Sequence, residues 1–319
     1  MIKYIVFMVS IFASLYSNEL KYPIATFTSS GYVIDLMYKD SKIYSSTDAG
    51  TVDIFDFKTK KIIKKITVDK IQDFMGDLID SKIFSVDEIN GSIMILSQDK
   101  KGFSRIYIHK NGKNRPIIDY TNKLSIIKAR YLDSNTLLLA LLSNEIISYD
   151  ISRLKQNYRI QVSGAKFSDF CLNEDRSKVV IADESGELQI HDTKSGINIR
   201  TLKGQNLDNV FQISYKNGII ATAGQDRKVG IYAPKFNSSY NKRSKFLVYS
   251  VGLSPSGKIA AYSSDEKNNV SVFNTISKSS LGKFGGNKIT LSNIVFIDEN
   301  SFLVSSNSKT INLYKIGGK

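Results

Sequence analysis

Cysteine, histidine and tryptophan are almost missing from this chain. Its 319 residues include one Cys, two His and no Trp. A lone Cys171 cannot close an internal disulfide. Cys171, His109 and His191 together cannot build a closed four-ligand zinc or iron–sulfur site. A covalent c-type haem site needs two cysteines and is excluded as well. Oxygen-ligand sites for Ca²⁺ or Mg²⁺ stay open on these grounds. No GxSxG, phosphate-binding P-loop or HExxH sequence occurs. Beyond the N-terminus no run is apolar enough to cross a membrane. Acidic residues are outnumbered, 30 Asp plus Glu against 44 Lys plus Arg, for a net charge of +14. Hydrophobic residues at 42% and charged residues at 23% are ordinary globular usage and argue against a disordered chain.

The N-terminus reads as an address. Lys3 provides a positive start, and Tyr4 to Tyr16 is an apolar run of 13 residues. A membrane span needs about 20, so the run fits the apolar core of a secretory signal. Cleavage is expected near Ser17, leaving residues 18–319 as the mature chain. No Cys follows the run, so a lipoprotein anchor is not expected. Export in a two-membrane bacterium places the mature chain in the periplasm, free of any integral membrane segment.

What is abundant is repetition. The segments TVDIFD, SIMILS, EIISYD, ELQIHD, KVGIYA, NVSVFN and TINLYK share one alternating pattern. Their fifth residues are Phe55, Leu96, Tyr149, His191, Tyr232, Phe273 and Tyr314. Successive spacings are 41, 53, 42, 41, 41 and 41. The long spacing places an insertion of about a dozen residues within 99–123. Around each segment lie further period-2 apolar runs separated by Gly, Asn, Asp or Ser, the pattern of strands and tight turns. Four strands per 41 residues is the size of a propeller blade. The fold expected is all-β, a single seven-bladed β-propeller domain over 18–319. The seventh unit stops at TINLYKIGGK, without an outer strand, and YPIATFTSS at the other end is a spare strand. That N-terminal strand is expected to complete the last blade and close the ring.

The period and the third-strand pattern resemble the WD40 propeller family over residues 20–319. In that family the third strand ends in Trp-Asp. Here the pairs are Phe55-Asp56, Tyr149-Asp150 and His191-Asp192. Asp226, six residues before Tyr232, matches the family's turn Asp. The Gly-His pair that opens each family blade is absent, so the family's His-centred hydrogen-bond network is expected in no blade. The signal-like start, the degenerate ring and the opening YPIATFTSSGYVIDLMYKDSKIYSSTDAGTVDIFDFKTKK also resemble the NapL-type accessory proteins of the periplasmic nitrate reductase. That resemblance implies a role in maturation of the reductase, or in electron delivery to it, with nitrate reductase subunits as partners and no cofactor of the protein's own.

Candidate chemistry is sparse. His191 is expected to pack in a strand, His109 to be exposed beside Lys110, and Cys171 to be a buried inert thiol. The acidic residues Asp183, Glu184, Glu187, Asp265 and Glu266 are expected in solvated turns. Basic residues are spread, with one dense group at Lys58 to Lys65 and another at Lys235 to Lys245. The candidate partner-binding residues are Lys60, Lys61, Lys64 and Lys65 in the first unit, with Arg105, Lys110 and Arg115 in the inserted region. Such cations attract an acidic partner or an anionic surface. Export and the lack of an aromatic–basic groove argue against nucleic acid. The function expected is a non-enzymatic, monomeric protein-interaction scaffold with no bound metal. Two alternatives stand beside it: a scaffold for outer-membrane protein assembly, and a Ca²⁺-dependent propeller hydrolase.

Overall fold

Short polar turns fold the apolar runs into meanders. Asn90-Gly91, Asn111-Gly112 and Asn217-Gly218 each place two successive residues at positive φ, as a tight type I′ hairpin requires. The computed structural model describes residues 19–317. The expected signal segment, 1–17, lies outside them. The described residues form a seven-bladed β-propeller. Blade one is typical, with antiparallel strands Val33–Lys39, Lys42–Thr47, Thr51–Asp56 and Ile62–Thr67 in sequence order. Five further blades repeat that order, and the seventh has its first three strands in order and takes its outer strand from the N-terminal segment.

The N-terminal segment closes the ring. Ala25–Thr28 pairs antiparallel with Thr310–Lys315, completing blade seven. Phe27 is 1% exposed and packs against Phe55, Ile311 and Leu313, between blades seven and one. One contact is additional to expectation: Leu20–Lys21 adds a fifth, parallel strand to Ser280–Phe284 of blade six.

The apolar core is divided between blades. Tyr44, Val52 and Ile54 of blade one meet Ile83, Val86 and Ile95 of blade two. Val180 and Ile190 of blade four meet Val210 and Ile220 of blade five in the same way. The alternation seen in sequence thus buries both faces of each blade against its neighbours. Phe55, Tyr149, Tyr232, Phe273 and Tyr314 are all buried, as is His191.

Register corrects the position of the insertion. SIMILS is the second strand of blade two, not the third, and Ser104–Lys110 is the third. His109 faces Ile93 just as Phe55 faces Ile43 and Tyr149 faces Leu137. The repeat position of blade two is therefore His109, and residues 99–123 belong to an ordinary blade. The surplus lies one connection earlier, between Thr67 and Ile83, where Ile71–Gln72 pairs with Leu78–Ile79. His109 is buried, not exposed, because it occupies an inward-facing strand position.

At the axis the innermost strands expose an edge that no strand pairs, and unpaired buried backbone groups are costly. Side chains from the preceding blade fill the role. Asp35 Oδ2 accepts from the Val86 amide at 3.0 Å, joining blades one and two. Asp87 Oδ2 accepts from Tyr131 N at 2.8 Å, joining two and three. Lys128 Nζ donates to Asp169 Oδ1 at 2.6 Å, and Asp169 Oδ2 accepts from Ile213 N at 2.9 Å. Gln212 Oε1 accepts from Val251 N at 3.0 Å, and Asn293 Nδ2 donates to the Ile34 carbonyl at 3.1 Å. Between blades six and seven the backbones touch: a Cβ on Gly252 would stand 2.5 Å from the Ile294 carbonyl oxygen. Two guanidinium groups balance the charge, Arg130 on Asp35 at 2.9 Å and Arg176 on Asp87 at 2.7 Å.

A side-chain network centred on Asn, not on His, spans the strand turns of blade five. In blade five Asn206 stands where the resemblance called for His. Its Nδ2 donates to Asp226 Oδ1 at 3.0 Å and its Oδ1 accepts from Thr222 Oγ1 at 2.5 Å. Asn287 takes a related place in blade seven, accepting from Tyr314 OH at 3.1 Å. An amide can bridge a carboxylate and a hydroxyl because it carries both a donor and an acceptor.

Two outcomes test this account. Deletion of residues 20–30 removes Phe27 and bares a blade edge, and loss of a buried Phe alone costs about 3–5 kcal/mol. The melting temperature of the truncated chain is expected to fall by about 10 °C or more, read by circular dichroism. Asp35→Ala leaves the Val86 amide without its acceptor and Arg130 without its carboxylate, with only Ser85 Oγ and the Ala129 carbonyl remaining to the guanidinium. Breaking a buried pair from one side costs about 3–5 kcal/mol, so the urea midpoint is expected to drop markedly. An unchanged midpoint would show that the axial contacts contribute little.

Candidate interaction surfaces

The residues with catalytic potential are held in the packing. His191 Nδ1 donates to the Gly196 carbonyl at 2.9 Å, and the ring is buried. His109 Nδ1 lies 2.7 Å from Asn114 Oδ1, while its buried Nε2 has no partner. Cys171 is partly buried on its strand, and burial pushes its thiol up, away from the reactive thiolate. Of the acidic residues, Asp183 is buried rather than solvated, and Asn144, Ser163 and Ser185 donate to it. Glu184, Glu187 and Asp265 are paired with Lys166, Lys203 and Lys283. Burial acts to raise the Asp265 carboxyl, but bonds from Lys283 and Asn269 outweigh it and hold it below the ordinary range.

The candidate cations fall into two groups. Lys60, Lys61, Lys64 and Lys65 are exposed on the outer hairpin of blade one. Lys110 and Arg115 are exposed where the third and fourth strands of blade two meet. A bond from Asn114 Nδ2 to the Thr67 carbonyl, 3.1 Å, ties these two outer strands together. Arg115, the next residue after Asn114, points to the other face of its strand, and its charge acts on Tyr131 of blade three. None of these six side chains forms an ion pair among the described residues. Beside them a groove of about 340 Å³ opens between Ile63, Lys64, Tyr44 and Ile93.

Arg105 belongs to neither group. It is 8% exposed on an interior strand, so it is unsuited to meet a partner. Its guanidinium donates to the Asp69 carbonyl and to Ser97 Oγ, and it lies 5.3 Å from the Tyr107 ring centre. Tyr107 OH donates to Asp69 Oδ2 at 3.1 Å. Burial, partly offset by Arg105, pushes this phenol up to about 12, so it remains a donor at neutral pH. Asp69 opens the inserted segment. The apparent partner-binding arginine is the clamp at the base of that insertion.

The insertion itself went unrecognised in the sequence, and it is the feature that breaks the ring's symmetry. Its base is buried through Val68, Ile71 and Ser81. Its tip is a turn organised by Asp73, whose Oδ1 accepts from Met75 N at 2.8 Å and Asp77 N at 2.9 Å. Gly76 takes φ 92° there, a conformation that side chains rarely adopt. Phe74 is 97% exposed, Met75 75% and Leu78 67%. Three large apolar side chains thus stand in water on a turn shaped by its own hydrogen bonds. Isolated exposed hydrophobics are ordinary, but a cluster of them at the end of one hairpin makes it a candidate contact surface.

Comparison with protein-family models gives no match, and comparison with curated proteins finds no significant relative.

Replacing His109 by Phe restores the aromatic character of its position and removes the unpartnered Nε2. An unsatisfied buried polar group costs about 1–3 kcal/mol. The melting temperature of His109→Phe is expected to hold or to rise by a few degrees in a thermal scan.

Proposed function

We propose that this chain is a non-catalytic protein-interaction scaffold that docks its partner through the hairpin at 68–82 and the basic rim of blades one and two. The observation that carries the reading is the exposed Phe74–Met75 tip on a turn held by Asp73. An aromatic anchor on a preorganised loop loses little conformational entropy on binding, and such anchors carry most of the energy of an interface. The unpaired lysines of blade one, with Lys110 and Arg115 of blade two, favour a partner with a carboxylate-rich surface around an apolar pocket. The engaged state of His109, His191, Cys171 and the axial carboxylates supports a binding role over a catalytic one.

The partner is proposed to be the periplasmic nitrate reductase, with this chain as an exported accessory protein for its maturation or for electron delivery to it. That part rests on the resemblance of the overall layout and of the opening segment to NapL-type proteins. It agrees with a chain whose few Cys and His residues are held in the packing.

The test is affinity capture from the periplasm of the native host grown with nitrate, using a C-terminal tag. The wild-type chain is compared with Phe74→Ala/Met75→Ala, whose altered side chains are exposed and so leave the fold intact. Recovery of the reductase's catalytic or cytochrome subunits by wild type, reduced at least tenfold in the variant, is the expected result. Recovery of barrel-assembly components instead would replace the nitrate reductase assignment with outer-membrane assembly. Equal capture by both forms would remove the hairpin from the docking surface.

A further inference from the structure

Blades five and six enclose a second surface, across the ring from the hairpin. The turns of both blades border a groove of about 550 Å³, a size suited to several side chains of a ligand. Ile219, Phe236 and Tyr240 of blade five form much of its apolar lining, and Ile276 of blade six stands opposite. Phe236 and Ile276 are each 73% exposed, so two apolar side chains rise from the rim into water. The groove is braced across the blades: Tyr240 OH donates to the Thr275 carbonyl at 2.5 Å, and Asn217 Nδ2 donates to the Ser256 carbonyl at 3.0 Å. A Cβ on Gly257, at φ 72°, would come within 2.7 Å of the Lys216 carbonyl oxygen, so the turn is pressed close to its neighbour.

Charge identifies the occupant. Lys258 and Lys278 line the groove, and no carboxylate does. Lys278 Nζ lies 4.3 Å from the Tyr240 ring centre, a cation held over an aromatic face. Neither lysine has a carboxylate within ion-pair distance among the described residues. Glu299, which accepts from Ser256 at 2.7 Å, lies close enough to Lys258 to feel its charge, so Lys278 is the more open cation. A purely apolar ligand would leave the Lys278 ammonium at the edge of a dry contact without a counter-charge, and a basic ligand would be repelled by both lysines. We infer that this groove binds a short peptide segment of a partner protein, with adjacent apolar side chains seated between Ile219, Phe236 and Ile276 and flanking carboxylates on Lys258 and Lys278.

The test is selection of random 12-residue peptides, displayed on phage, against the full mature chain. Enriched peptides are then made with a fluorophore and titrated by anisotropy. The expected consensus has two neighbouring apolar residues flanked by Asp or Glu. Affinity is expected to fall at least tenfold in Lys258→Glu/Lys278→Glu and with rising salt, and to be unchanged in Phe74→Ala/Met75→Ala. The last comparison separates this site from the hairpin. A second variant, Ile276→Ser, removes an exposed apolar contact without altering charge and is expected to weaken the same peptides. No enrichment, a basic consensus, or equal binding to the charge-reversed chain would overturn the inference.

Discussion

A ring of blades creates one problem that all its other features must accommodate. The innermost strand of each blade ends the sheet, and its amides and carbonyls face a narrow axis instead of another strand. Left buried and unpaired, each such group costs about 1–3 kcal/mol. In this protein the side chains of one blade serve the backbone of another. Asp35, Asp87 and Asp169 accept from Val86, Tyr131 and Ile213, and Gln212 and Asn293 continue the circuit with Val251 and Ile34. The charges this introduces are matched by Arg130, Arg176 and Lys128. The apolar packing between blades depends on this register, because each inner strand must sit at a set height for its neighbour's carboxylate to reach an amide.

The axial charges therefore have structural partners, which supports the proposal of a docking surface at the periphery. Two peripheral features are unlike the repeat. One is the hairpin between blades one and two, clamped at its base by Arg105 and Tyr107 and open at Phe74. The other is the groove between blades five and six, lined by Lys258 and Lys278. Both are made by connections and turns, where sequence change leaves the sheet ladders intact. The basic residues of blades one and two add long-range attraction, which favours the encounter rate of an acidic partner more than its final affinity.

The 41-residue spacing made the blades readable, since strand alternation and turn residues are local properties. The closing role of Ala25–Thr28 was readable too, because a seventh unit without an outer strand and a spare strand at the other terminus have one economical solution. The insertion was not. SIMILS carries the same alternation as a third strand, and His109 hides the aromatic that would have marked the true one. Only strand pairing separates a second strand from a third. Asn206 and Asn287 could have been noticed in KGQN and FGGN, at the place where a His was sought.

Composition and periodicity by themselves determined the all-β class, the blade count, the means of closure and the absence of a closed zinc or iron–sulfur site. These follow from residue counts and from nearest-neighbour patterning along the chain. Tertiary structure alone decided which cations are free. Lys60, Lys61, Lys64, Lys65, Lys110 and Arg115 reach solvent, whereas Arg105, in the same basic stretch, is turned inward to hold Asp69. It also decided that Phe74 stands exposed while Phe27 is buried, and that turns far apart in sequence form one groove. The reason is the same in each case: exposure and partnership are set by what packs across from a residue, and in a propeller the opposing surface comes from the next blade.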